Sequence, residues 1–223
     1  MIENSAIKPE HLWYFVGLLT TDGNLSPDGR HIVLVSKDVE HLEKIRGIFN
    51  LPKLGRKASG TTSEKIYGVL QFGDVKFYRF LLSLGLSPKK SMILKEIAVP
   101  PAYFKDFLRG VIDGDGCIRK WIHPTNGHLQ WEVKIVSAAE HFSKWLYNNI
   151  EQDFKVRGTL MTYPIAIKRK NTLYVLKYGK MAAQKILSCY THSTLALARK
   201  CVLAEECIQA ENGWSKSVTV LQS

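Results

Sequence analysis

Two aspartates in this 223-residue chain stand in a context suited to chemistry. Each closes a Gly-x-x-x-x-Asp-Gly run: Gly17 leads to Asp22 and Gly23, and Gly110 leads to Asp115 and Gly116. A single Asp-Gly after an apolar stretch reads as a turn. Two of them, at one offset from a preceding glycine, ask for a shared function. Gly110 and Gly114 lie one helical turn apart, as do Gly17 and Thr21, and small residues at that spacing let two helix backbones approach closely. If the two helices pack through Gly17 and Gly110, Asp22 and Asp115 converge at the foot of the seam. Carboxylates that close repel unless a divalent cation lies between them. Hard oxygen donors of this kind favour Mg²⁺, or Mn²⁺ from the same donor class.

The elements that must position the pair are written twice. Leu12–Asn24 and Phe104–Cys117 are both apolar and helix-like, and Pro9 and Pro100-Pro101 suit their starts. Strand-like residues follow each, leading to Val35-Ser36-Lys37-Asp38 in one half and Val136-Ser137-Ala138-Ala139 in the other. Further on, Lys89-Lys90-Ser91 answers Arg199-Lys200-Cys201. Asp22 to Lys90 is 68 residues and Asp115 to Lys200 is 85, so the second copy holds 17 more. Turn-rich stretches at His123–Gly127 and Ile167–Asn171 can absorb them as longer hairpins. The chain divides into a repeat over 1–98 and a second over 99–223 with a tail helix. Each repeat reads as helix, hairpin, helix, hairpin, helix. Alternation predicts strands over Arg30–Ser36 and Leu129–Ser137. Apolar spacing predicts helices over Asp38–Phe49 and Ala139–Phe154, then Val75–Leu84, Met181–Cys189 and Leu195–Ala210. Second hairpins are expected over Leu54–Phe72 and Val156–Tyr178.

Composition narrows the partner. Lys and Arg number 31 against 20 Asp and Glu, a net +11, on a chain that is otherwise ordinary for a folded protein. A surplus that large favours a polyanion, either nucleic acid or an acidic surface. The most apolar run, Leu12–Leu19, is far below the roughly 20 residues that span a bilayer. Glu3, Lys8 and Glu10 stand where a signal peptide needs apolar residues, so an intracellular protein is expected. Cys117, Cys189, Cys201 and Cys207 form no CxxC pair, which argues against structural zinc and for idle thiols.

Phe15–Gly23 and Leu108–Gly116 resemble the two motifs of a single-chain LAGLIDADG homing endonuclease, and the likeness runs from about His11 to about Glu206. The first motif departs from the pattern with Thr20 where the family's earlier, helix-capping Asp sits. The resemblance implies an α+β fold: a pseudo-twofold pair of αββαββα units, two antiparallel saddle-shaped sheets, and the two motif helices at the centre. It implies a monomer that cuts a long asymmetric DNA duplex across the minor groove and leaves 3′ overhangs. Asp22 and Asp115 would hold divalent metal, with the carbonyls of Thr21 and Gly114 completing the coordination. Lys90 and Lys200 resemble the family's active-site lysines, which offset charge on the phosphate in flight. Lys37 is a third catalytic candidate, with Ala138 at its partner position.

In the family the hairpins lie along the major groove, one face under helices and the other toward bases. Here Lys155, Arg157, Thr159 and Tyr163 are expected on one strand face, and Gln130, Glu132 and Lys134 alternate with Trp131, Val133 and Ile135. Arg119, Lys168 and Arg169 extend that half, where Arg119–Lys180 holds 11 Lys and Arg against 4 Asp and Glu. First-half candidates are Arg30, His31, Arg56, Lys57, Ser59, Thr61, Lys65 and Tyr67. Trp121 and Tyr174 read first as packing residues. Rival readings are an intron RNA maturase or a non-cleaving DNA-binding protein of the same fold. An acidic-pair hydrolase acting on sugars fits the basic surface poorly. With no splicing-domain signature, a freestanding or intron-encoded protein is expected.

Overall fold

The computed structural model describes residues 7–58, 66–166 and 170–210; Ser59, Thr61, Lys65, Lys168 and Arg169 lie outside them. The first repeat runs α1 (Pro9–Thr21), β1 (Gly23–Leu25), β2 (His31–Ser36), α2 (Val39–Ile48), β3 (Gly55–Ala58), β4 (Ile66–Gly73) and α3 (Val75–Ser83). The second runs α4 (Phe104–Asp115), β5 (Gly116–Ile122), β6 (Leu129–Ser137), α5 (Glu140–Phe154), β7 (Thr159–Tyr163), β8 (Leu173–Gly179), α6 (Lys180–Leu187) and α7 (Ala198–Gln209). Both sheets are antiparallel, with orders β1-β2-β4-β3 and β5-β6-β8-β7. The same order twice, on an α+β plan, is the duplicated unit. None of the helices described is long and apolar enough to cross a membrane, and all four cysteines are free.

The two motif helices pack backbone to backbone. A Cβ on Gly17 would fall 2.0 Å from the Phe107 carbonyl oxygen, and one on Gly110 would fall 2.1 Å from that of Tyr14. Each glycine thus meets the residue three positions before the other, as a twofold requires. Around this seam Tyr14, Phe15, Leu19, Phe107, Leu108 and Ile112 are almost fully buried. Rings of Phe15, Phe72 and Phe77 pack on the first side, and Phe104, Phe107 and Trp145 on the second. Asp74 fixes the start of α3 by accepting the Phe77 N–H at 3.0 Å, an N-cap.

The first hairpin of the second repeat is longer where an insertion was expected, β5 and β6 having 7 and 9 residues against 3 and 6 in β1 and β2; residues 167–169 of the other expected insertion lie outside the described residues. One expected strand start is displaced. Lys155 is the left-handed cap of α5, with φ 52°, and β7 begins only at Thr159. Its left-handed turn lets Phe154 and Val156 both reach the core, at 8% and 7% exposure. The alternation of Lys155, Val156 and Arg157 therefore reflects an anchored loop, not a pleat.

Candidate active site

Asp22 caps the end of α1, its N–H bonded to the Leu18 carbonyl at 2.9 Å, and Asp115 is the last residue of α4. Gly114 is what lets them meet. A Cβ there would lie 1.9 Å from Thr21 Oγ1 and 3.4 Å from Asp22 Cγ, so the Asp22 carboxyl leans over the opposite helix. Two chambers open at this point. One, of about 350 Å³, is lined by Asp22 and Gly114 with Lys37, His41, Tyr67 and Arg199. The other, of about 160 Å³, is lined by Asp115 and Thr21 with Lys90, Ser91, Ser137 and Ala138. Each chamber therefore joins one repeat's carboxylate to the residue that precedes the aspartate in the other.

Both carboxylates are exposed at the mouth yet crowded from below. Burial raises Asp22 to about 6, with the like charge of Asp115 next, against the pull of Lys200, Lys90 and Arg199. Burial also raises Asp115, opposed by Lys90 and Lys200. Among the described residues no cluster of three His, Cys, Asp or Glu gathers. Any cation here would take the two carboxylates and main-chain carbonyls, all hard oxygen.

Lys90 and Lys200 reach the same two helix ends but are buried, at 6% and 3% exposure. Lys200 Nζ donates to the carbonyls of Asp113 at 2.9 Å, Gly116 at 2.7 Å and Ile112. Lys90 Nζ donates to Gly23 O and, at 3.5 Å, to Thr21 O. Thr21 and Asp113 contribute carbonyls from the last turns of α1 and α4, where a helix leaves such groups without partners, and an ammonium there also suits the helix dipole. All three N–H bonds of Lys200 are engaged, while Lys90 engages two. Burial pulls Lys200 down to about 8 and lowers Lys90. Lys37 is exposed at the rim of the Asp22 chamber.

Sequence reasoning missed a buried network on the Asp22 side. Asp113, 2% exposed, accepts from Tyr14 Oη at 2.7 Å, Tyr190 Oη at 2.7 Å and the Leu197 N–H at 2.8 Å. Tyr14 Oη also meets His41 Nε2 at 2.7 Å. Because the tyrosine proton goes to Asp113, the oxygen must accept from Nε2–H, which fixes the histidine tautomer and leaves Nδ1 an acceptor. That buried Nδ1 has no hydrogen-bond partner among the described residues. The signal was present in the repeat alignment: Tyr14, His41 and Asp113 fall opposite Phe107, Phe142 and Thr20. Arg199, paired with Asp38 at 3.3 Å, ties α7 to the first repeat.

The sheets hold the remaining candidates. Gln130, Glu132 and Lys134 occupy the open face of β6, opposite buried Trp131, Val133 and Ile135. Arg119 pairs across with Glu132, and its guanidinium lies 5.0 Å from the Trp121 ring. Thr159 and Tyr163 share that face. Lys57 opposes Tyr67 on the open face of the first sheet, but Arg56 opposes Gly68, whose missing Cβ would meet Leu42 and Val39. Arg56 thus has the helix-side parity, because residues opposite on a ladder share a face. Arg30 and His31 are held by Asp28, whose carboxyl the His31 bonds pull down to about 2. Arg157 pairs with Glu151 at 3.0 Å beside α5. Tyr174 donates to Glu140 at 3.0 Å and faces the helices.

No protein-family model matches the chain, and no curated protein is similar to it in sequence. Solved structures do match its fold. One is the LAGLIDADG homing endonuclease I-GzeII in complex with its DNA target, at TM-score 0.58 and 12% identity over 91% of this chain and 89% of that one. The homing endonuclease I-WcaI, bound to its DNA recognition sequence, gives 0.59 and 12% over 89% and 87%. Full-length DUF199/WhiA from Thermatoga maritima gives 0.55 and 14%, with 89% of this chain covering 59% of that protein. At these identities the likeness is one of fold.

Proposed function

We propose that the protein is a site-specific, divalent-metal-dependent double-strand DNA endonuclease of the homing type, acting as a monomer on a long asymmetric target. The observation that carries this reading is the crossed placement of two carboxylates, each over the end of the other repeat's motif helix. A fold needs no such pair: bringing two acids together raises both and costs stability. Their mutual repulsion and the hard oxygen donors beside them fit Mg²⁺ or Mn²⁺, which Asp22, Asp115 and the carbonyls of Thr21 and Gly114 would hold. Such an ion, when bound, polarises a phosphate and lowers the pKa of water.

The chain's own residues do the rest. Gly17, Gly110 and Gly114 set the separation of the carboxylates by letting the helices touch. Lys90 and Lys200 supply positive charge beneath the scissile phosphates and tie down the carbonyl ends that the aspartates continue. Lys37 and Arg199 add charge at the Asp22 chamber, where a transition state gathers negative charge. The open sheet faces, with Arg119, Lys134, Lys57 and Tyr67, hold the duplex. One observation favours the second reading, a non-cleaving DNA binder or RNA maturase: both lysines are engaged with helix ends. Supercoiled plasmid carrying the DNA that flanks the reading frame, joined without it, separates the two. Linearisation that requires Mg²⁺ supports the nuclease, and tight binding with no nicking in Mg²⁺ or Mn²⁺ supports the binder.

A further inference from the structure

The open faces of the two sheets differ in chemistry at matched positions, and the central strands carry a difference in charge. Nearest the carboxylate chambers the rung is apolar in both sheets: Val35 opposes Val69, and Val136 opposes Val175. One rung outward the sheets part. Val33 opposes Gln71 in the first, while Lys134 opposes Lys177 in the second. Below these faces the sheets are sealed by Ile32, Leu34, Leu70 and Phe72, and by Trp131, Val133, Ile135 and Leu176.

The lysine pair does not serve the fold, and neither does the exposure of Val35. Like charges directly opposite on a ladder are destabilising, and neither Lys134 nor Lys177 has an ion pair among the described residues. Glu132 is the acid described on that face. A buried-side valine would be ordinary, but Val35 is 38% exposed on the face away from the helices. Both features make sense against base edges in a major groove. With a sheet laid along the major groove, as the DNA reading has it, its central strands would lie over the base edges and its edge strands nearer the phosphates.

Resting on the DNA reading above, we infer that the two half-sites carry different base pairs at equivalent positions: A·T under Val33 and Gln71, and G·C under Lys134 and Lys177. Gln pairs with adenine N6 and N7, and an apolar side chain fits the thymine methyl of the same pair. Lysine meets the O6 and N7 acceptors of guanine. Val35 and Val69 extend the methyl-reading surface of the first half toward the cleavage site.

The test is selection of a randomised duplex library on the full-length protein in Ca²⁺, followed by base analogues in the enriched duplex. Replacing thymine by uracil in the half-site of the first sheet should weaken binding about fourfold for each buried methyl lost. Replacing guanine by 7-deazaguanine in the other half should weaken it about tenfold. The double substitution Val33→Lys with Gln71→Lys should move the selected base pair from A·T to G·C in one half only, which also identifies that half. An enriched site with the same base pair at both positions, or analogues without effect, overturns the inference and leaves the nuclease reading standing. So does Lys134→Val that weakens all sequences equally, since Lys134 is then a phosphate anchor. Failure of any sequence to enrich overturns this inference and the site-specific reading together.

Discussion

Around Asp22 the network consists of Tyr14, His41 and Asp113; the equivalent positions around Asp115 carry Phe107, Phe142 and Thr20. The first set is fully hydrogen-bonded apart from His41 Nδ1, and the second is apolar except for Thr20, which bonds Val16 O at 2.8 Å within its own helix. A buried polar network is tolerable when every member is satisfied and costly when half built. The three positions therefore differ together between the repeats. The lysines show the same contrast. Lys200 arrives on the first turn of α7, whose entry Asp113 pins through the Leu197 N–H. Lys90 arrives from an irregular turn in which Lys89 takes φ 57°. The seam glycines, by contrast, are matched, because close backbone approach constrains both helices equally.

Breaking the shared part should have the largest effect. Gly110→Leu and Gly17→Leu should each cost about 3 kcal/mol or more in denaturant unfolding, since a side chain at either meets backbone that cannot yield. An unchanged unfolding midpoint for one of them would remove that helix face from the seam. The unshared part should show as an inequality. Asp113→Asn should cost about 2–3 kcal/mol, because an amide offers one acceptor oxygen where three donors now meet a carboxyl and leaves buried donors without partners. Thr20→Val, its mate, should cost under about 1 kcal/mol.

The carboxylates give a pH signature. Asp22 titrates near 6 in the folded chain, above its ordinary 3.8, so folding takes up a proton in that interval. Its contribution to stability is greatest below about 4, falls as pH rises to about 6 and is level above. In metal-free buffer the difference in melting temperature between Asp22→Asn and wild type should grow in the variant's favour from pH 4 to 6. Added Mg²⁺ should raise the melting point of wild type and leave the variant's unmoved. The smallest effect is a control outside both chambers. A Cβ on Gly47 in α2 meets nothing within 4 Å, so Gly47→Ala should stabilise by about 0.5–1 kcal/mol in thermal unfolding.

Much of the fold was legible because the motif is doubled. Gly17 and Gly110 at one offset from an aspartate predict the seam, and the turn-rich stretch at His123–Gly127 predicts where the second repeat grows. What was hidden depends on direction rather than on type. Lys90 and Lys200 were placed beside the aspartates by their symmetry, but nothing in the residues says that the ammonium turns into helix-end carbonyls. Arg56 and Lys57 are neighbours of like charge, and only the register that sets Arg56 against Gly68 puts them on opposite faces. Tyr174 keeps strand alternation while turning to Glu140. Asp113 was visible as the motif's earlier acid, yet Tyr14, His41 and Tyr190 are far from it in sequence, and their meeting is a property of the packed helices.

The most direct test of the two-carboxylate centre is single-turnover cleavage of a cognate duplex, with each strand labelled, by wild type, Asp22→Asn and Asp115→Asn in Mg²⁺. Binding of the same duplex is measured alongside in Ca²⁺. Each variant should lose double-strand cleavage by at least roughly a thousandfold while its affinity holds or rises, since a charge repelling phosphate has been removed. A variant that cuts both strands at the wild-type rate, or one whose loss of cleavage follows its loss of affinity in proportion, would contradict the two-carboxylate centre.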